Sequence, residues 1–183
     1  GKSIQTLDLA ILRKKIGYVP QDAFLFSESL SHNIGFTMNE PNATEVEEFA
    51  KDAEVHANIV EFKEGYKTKI GERGITLSGG QKQRVSIARA LAHNPEILLF
   101  DDCLSAVDTE TEENILQNLK RLTTERTTVI ISHRVSTVKH ADLILVLNKG
   151  EVVETGTHTD LLSSEGEYFK LYQKQIRESG IEI

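Results

Sequence analysis

Cysteine occurs once in the 183 residues, at Cys103, so no internal disulfide can staple the fold. Long apolar runs are missing as well: no stretch approaches the ~20 residues needed to cross a bilayer, and nothing reads as a secretory signal. An excess of basic residues is also lacking. Lys and Arg number 21 against 28 Asp and Glu, a net charge of -7, which argues against a general nucleic-acid surface. What remains is ordinary for a globular chain, with 39% hydrophobic and 27% charged residues. That length and content allow one domain with a real core, and the composition fits a cytosolic compartment. Cys103 follows a carboxylate pair and reads as a buried thiol rather than a nucleophile.

That pair stands at the end of an unbroken apolar run. Ile97-Leu98-Leu99-Phe100 follows Asn94-Pro95, which ends the helix before it, and reads as a strand buried on both faces in a parallel sheet. Asp101 and Asp102 then sit at its carboxyl end, where open α/β sheets bind ligands. One carboxylate there can hold Mg²⁺, a hard cation that takes oxygen ligands. The second can orient or deprotonate a water. The plainer alternative is that the pair caps the following helix.

Upstream, Ser78-Gly79-Gly80 precedes a strong helical run from Gln81 to His93. A helix N-terminus offers unpaired N–H groups and a partial positive charge that suit phosphate. Glycines let the backbone approach the oxygens, and Ser78 adds a hydroxyl. An ordinary helix cap would have the same residues.

Together these elements are specific. Leu77-Ser78-Gly79-Gly80-Gln81, Gln83-Arg84, the strand with Asp101, Ser105-Ala106-Val107-Asp108 and Ser132-His133 resemble the ATP-binding cassette (ABC) family. They follow the order and spacing of its signature motif, Walker B motif, D-loop and H-loop, and the resemblance covers nearly the whole chain. It implies an α/β, P-loop NTPase-like fold, with a mostly parallel sheet, helices on both faces and a helical subdomain. The implied layout is a partial nucleotide-binding domain over 1–183: a helical subdomain at about 23–94, a RecA-like core from 1–22 and 95–160, and C-terminal helices over 157–178.

The start of the chain reads as a decoy. Gly1-Lys2-Ser3 matches the end of a P-loop pattern, but Lys2 lies nineteen residues before Gln21, against roughly forty in the family. Gly1 to Leu9 resembles instead the later hairpin and linker that lead to Leu12-Arg13-Lys14-Lys15-Ile16. On this reading the N-terminal strands, the P-loop and the aromatic residue that stacks on adenine precede residue 1. These 183 residues alone are then expected to bind ATP negligibly, with apolar edges left open.

Gly17-Tyr18-Val19-Pro20-Gln21 ends a short strand, and Gln21 matches the Q-loop glutamine; a plain polar loop is the alternative. Phe24, Leu25 and Phe26 form an apolar cluster in a loop, either core or a surface for a coupling helix of a membrane domain. Ala43 to Phe62 reads as a helical region entered at Asn42 or Thr44, with Val46, Phe49, Ala50, Ala53 and Ala57 facing a small core. His56 lacks a spaced Cys or His partner and reads as packed or solvated. Tyr66 to Gly74 resembles the X-loop of exporters, in which Glu72 and Arg73 would touch the membrane domain. Thr109 to Leu122 reads as a helix with Ile115, Leu116, Leu119 and Leu122 on its apolar stripe. Thr127–Ile131 and Leu143–Leu147 read as further buried strands, with a hairpin turn at Asn148-Lys149-Gly150. Two helices close the chain.

The resemblance also assigns roles. Asp101 and Gln21 would contact Mg²⁺; Asp102, Gln21 and His133 would act on the water and the γ-phosphate of ATP. Ser78, Gly79, Gly80 and Gln81 would serve the nucleotide of a second nucleotide-binding domain, and Asp108 would link the two sites. The partners implied are that second domain, in a homo- or heterodimer, and a transmembrane domain, at the cytoplasmic face of the membrane; no nucleic acid is implied. The whole would be an ATPase powering an exporter. One departure stands out: exporters with active sites usually carry Glu where this chain has Asp102, and the shorter side chain falls about an ångström short, worth on the order of 10²-fold in rate. That leaves open a weak, non-catalytic site acting as an interaction module. A soluble DNA-repair ATPase fits less well, because the X-loop-like segment is present and a coiled-coil insertion is not.

Overall fold

Asp8 opens the first helix. Its Oδ1 accepts from the amides of Ala10 (2.8 Å) and Ile11 (3.1 Å), and α1 runs Leu9–Lys14. Before it, Ile4–Thr6 is a 3-10 turn in which Thr6 Oγ1 donates to the Ser3 carbonyl (2.8 Å). The hairpin expected over Gly1 to Leu9 is therefore not what Ser3 to Leu9 form, because Thr6 and Asp8 give the backbone local partners that compete with a strand ladder. The structure is a computed structural model that describes residues 3–38, 41–71, 75–122 and 126–178. Gly1 and Lys2, and the X-loop residues Glu72 and Arg73, lie outside that set.

The chain divides into two compact units, residues 1–131 and 132–183. In the first, β1 (Ile16–Val19) leads to α2 (Leu30–Ile34), α3 (Ala43–Asp52), α4 (His56–Glu61) and α5 (Gly79–Ala92). Then come β2 (Ile97–Asp101), α6 (Thr109–Leu122) and β3 (Thr127–Ile131). The three strands form a parallel sheet in the order β1-β2-β3, with Ile16 beside Ile97 and Ile97 beside Thr127. This is the α/β class with a parallel sheet and helices. Val19, Leu98 and Phe100 join Val85, Ile87 and Leu91 of α5, Leu30 and Ile34 of α2, and Ile115 of α6 in one apolar cluster. At Gly17 a Cβ would come within 2.8 Å of Pro95 Cγ and 3.0 Å of the Ala90 carbonyl, so glycine is what lets α5 lie against β1.

Further expectations need correction. The helical region from Ala43 to Phe62 is two helices, because Glu54 adopts a left-handed φ of 55°. The Glu54 amide donates to the Lys51 carbonyl and that of Val55 to the Ala50 carbonyl, both at 2.9 Å, a Schellman stop made without its usual glycine. The interruption rotates Ala57 to the exposed side and puts Val55 and Ile59 in the core. The strands are also less buried than their apolar runs suggest. In β2, Leu98 and Phe100 are buried while Ile97 and Leu99 are half-buried. In β3, Val129 and Ile131 are exposed, since they share one face of the sheet with Ile97 and Leu99 and that face stays open.

The second unit holds α7 (Val135–Val138), β4 (Ile144–Asn148), β5 (Glu151–Gly156), α8 (His158–Ser163) and α9 (Glu167–Glu178). β4 and β5 form an antiparallel hairpin, closed by Lys149 and Gly150, both at positive φ, as a two-residue turn of the primed type requires. Leu145 and Leu147 of β4 are exposed, so this strand too departs from the buried reading. Its buried apolar residues among those described are Val135, Ile144, Leu161 and Tyr168. Hydrogen bonds supply much of the rest. Thr157 and Asp160 cap α8 reciprocally. The Glu154 carboxylate of β5 accepts from the Glu167 and Tyr168 amides at the start of α9. Tyr168 Oη and His158 Nδ1 are 2.7 Å apart.

Candidate functional site

β1 and β2 deliver their side chains to one place. β2 ends at Asp101, and the chain turns through Asp102 at a left-handed φ of 45°, fixed by the Asp102 amide donating to the Ile131 carbonyl (2.8 Å). Gln21 Nε2 donates to Asp102 Oδ2 at 3.3 Å. Tyr18 Oη donates to Asp101 Oδ2 at 3.1 Å, and this hydrogen bond raises the Tyr18 phenol above its ordinary pKa, with burial and the Asp101 charge adding to it. Three of the expected residues, Gln21, Asp101 and Asp102, thus meet at the carboxyl ends of neighbouring parallel strands. Asp108, not the pair, accepts from the Thr111 amide at the start of α6 (2.9 Å). That bond and the Thr111 hydroxyl hold the Asp108 carboxyl below its ordinary pKa. Cys103 is buried behind the pair, and burial pushes its thiol up to about 12.

α5 begins with a capping box: Ser78 Oγ accepts from the Gln81 amide (3.2 Å) and Gln81 Oε1 from the Ser78 amide (3.0 Å). Of the donors that a helix start cannot satisfy internally, this closes two and leaves those of Gly79 and Gly80 without an intrahelical acceptor. A Cβ on Gly80 would come within 2.8 Å of the Ala106 carbonyl, so glycine there lets the helix start and the Ser105–Asp108 loop touch.

Gln83 completes the assembly and is a residue whose role the motif reading missed. It is 6% exposed. Its Nε2 donates to the Gln21 carbonyl (3.2 Å) and its Oε1 accepts from the Ala106 amide (3.3 Å). One buried amide therefore joins the Gln21 loop, α5 and the loop before Asp108. Arg84, on the next position, donates to the Gly80 carbonyl (3.4 Å) and to the Glu54 carbonyl.

The loop after Gln21 is shaped by two further residues that sequence patterns did not single out. Asn33 is fully buried and bonds Phe26 at both its amide (2.8 Å) and its carbonyl (3.0 Å). Arg89 donates to the carbonyls of Asn33 and Phe24, both at 2.8 Å, and lies 5.3 Å from the Phe26 ring centre. This leaves Phe24 66% exposed, edge-on to Phe26, which stacks on Phe36. His56 is packed, 2.8 Å from Tyr66 Oη.

His133 belongs to the second unit, two residues past the end of β3. Its carbonyl accepts from Gln175 Nε2 of α9 at 2.7 Å.

Among the described residues no group of three or more His, Cys, Asp or Glu is placed to hold a metal alone. The set of Asp101, Asp102 and Gln21 fits Mg²⁺ nonetheless, since that ion takes one or two carboxylates and fills its other positions with water and phosphate oxygens. No helix among the described residues is long and apolar enough to cross a membrane.

Residues 1–105 match the ABC transporter family. The chain is 49% identical, over 97% of its length, to the uncharacterized ABC transporter ATP-binding protein YknU of Bacillus subtilis (strain 168). It is 45% identical, over 99%, to the ATP-dependent lipid A-core flippase of Syntrophus aciditrophicus (strain SB), and 44% identical, over 98%, to the ATM1-type heavy metal exporter of Novosphingobium aromaticivorans. It spans 30%, 30% and 29% of those proteins. Among solved structures it superposes on a bacterial Atm1-family ABC exporter with ATP bound, at a TM-score of 0.91 and 43% identity, covering 96% of this chain and 31% of that one.

Proposed function

The chain belongs to the ABC transporter family, and from that premise we propose that it is a portion of the domain of a membrane exporter that binds and hydrolyses ATP with Mg²⁺. The observation that carries this reading is the meeting of Gln21 and Asp102 beside Asp101 at the ends of two parallel strands. Asp101 and Gln21 hold the metal, which supplies charge for the phosphate oxygens. Asp102 takes the proton of the attacking water. His133 acts on the γ-phosphate, a role that rests on its place in the sequence. Ser78, Gly79, Gly80 and Gln81 bind the triphosphate of a second nucleotide-binding domain, using the two amides that the capping box leaves open. Asp108 links the two sites. The exposed Phe24 ring is the contact for a transmembrane domain, with the chain on the cytoplasmic face. The layout is a helical subdomain over about 23–94, a core over 1–22 and 95–160, and C-terminal helices over 157–178.

Asp102→Asn and Asp102→Glu in the full-length protein test the reading, with ATP binding and hydrolysis measured separately. Asn should abolish turnover by on the order of 10²-fold or more and leave ATP binding in place. Unchanged turnover with Asn would remove Asp102 from the chemistry. A second reading, a weak site that serves mainly to hold the domains together, is favoured by the short Asp102 carboxylate and its engagement by Gln21. It calls for a gain in rate with Glu, and no gain would discard the short side chain as the limit.

A further inference from the structure

Gln175 lies on α9, far in sequence from any motif, and its side chain spans the backbone just past Ser132. Its Nε2 donates to the His133 carbonyl at 2.7 Å and its Oε1 accepts from the Val135 amide at 2.8 Å. One donor and one acceptor used in this way fix which end of the amide faces which partner. The Val135 amide is the first of α7 and has no acceptor inside that helix, and Val135 is 3% exposed, so the cap matters. On the other flank of His133, Ser132 Oγ accepts from the Arg134 amide (3.0 Å) and pairs with Thr137 Oγ1 (3.2 Å). α9 is itself held at its start by the Glu154 carboxylate, on the Glu167 and Tyr168 amides. The path of the backbone through His133 is thus set by a helix that is anchored elsewhere in the same unit.

We infer that Gln175 is a positioning residue for His133: it fixes the histidine's backbone so that the imidazole reaches the γ-phosphate of ATP. The inference rests on the role proposed above for His133. A histidine that works through one hydrogen bond tolerates little displacement, because a misplacement of ~1 Å costs on the order of 10²-fold in rate. Removing the bonds from α9 to the His133 carbonyl and the Val135 amide leaves the ring in place only part of the time.

The test measures steady-state Mg-ATP hydrolysis and thermal melting of the full-length protein in lipid vesicles. The variants are Gln175→Ala, Gln175→Glu, His133→Ala, and His133→Ala combined with Gln175→Ala. Glu at 175 keeps an oxygen for the Val135 amide but offers no donor to the His133 carbonyl. Both Gln175 variants should lower kcat by about 10-fold or more, with KM for ATP within about threefold of wild type. Gln175→Glu should do so without a lower melting temperature, and it carries the test if the alanine variant fails to fold. The double variant should be no slower than His133→Ala alone, as expected when one residue acts through the other. A kcat within about twofold of wild type in the Gln175 variants, beside an impaired His133→Ala, overturns the inference and leaves the reading of His133 standing. So does a double variant slowed by the full product of the two single losses. A His133→Ala protein that hydrolyses ATP at the wild-type rate overturns the role of His133 and this inference with it.

Discussion

The two units share helix caps but differ in how much apolar packing lies behind them. The first is packed: Leu98, Phe100, Val85, Ile87 and Leu91 form the middle of a continuous apolar cluster. The second has a small cluster around Val135, Ile144, Leu161 and Tyr168 and is stitched by side-chain hydrogen bonds to helix ends from Glu154, Thr157, Asp160 and Gln175. Apolar packing is insensitive to direction and gives the first unit its stability. Hydrogen bonds are weaker in net terms but directional, and the residue proposed to act on the γ-phosphate sits where direction is controlled.

The comparison breaks most easily at Phe100. Phe100→Ala should destabilise the first unit by about 3–5 kcal/mol, seen as faster amide hydrogen exchange in α5 and β1. A cost below about 1 kcal/mol would show that the cluster does not dominate that unit. Next in size is Glu154→Ala, which removes both acceptors at the start of α9 and should cost about 1–3 kcal/mol. Faster exchange at the Glu167 and Tyr168 amides is the readout, and unchanged exchange would mean the stitching is ornamental. The smallest effect is acid sensitivity. The Thr157 hydroxyl and then its amide hold the Asp160 carboxyl below its ordinary 3.8. A depressed folded-state value means the contribution is complete above 3.8 and is lost as pH falls through the folded-state value. Exchange at the α8 amides should rise over that acid range in wild type and stay flat in Asp160→Asn.

What the sequence disclosed follows the same divide between local and distant physics. α5 was legible because Ser78 can cap a helix start before Gly79-Gly80 and Asn94-Pro95 marks its end, although the reciprocal cap by Gln81 was not foreseen. α6 was legible from the stripe of Ile115 and Leu119. Asp101 and Asp102 were named because a strand end follows from an apolar run and its breakers, and Gln21 because it matches the Q-loop of the family the chain resembles. The break between α3 and α4 was not legible, since a Glu rather than a Gly takes the left-handed turn at 54. The exposure of Val129, Ile131, Leu145 and Leu147 escaped as well, because an apolar run says a face should be covered but not by what. The bridging roles of Gln83 and Gln175 were invisible for a related reason. Their partners lie 62 and 42 residues away, and an amide side chain carries no mark of which backbone group it will meet.

The left-handed turn at Asp102 has a further consequence. At a φ of 45° glycine and asparagine rest more comfortably than most side chains, while only a carboxylate suits the proposed chemistry. A library of variants sorted for folding alone should enrich Asn and Gly at position 102, and the same library sorted for turnover should purge them. Selection for robustness and selection for activity pull in opposite directions on this one codon.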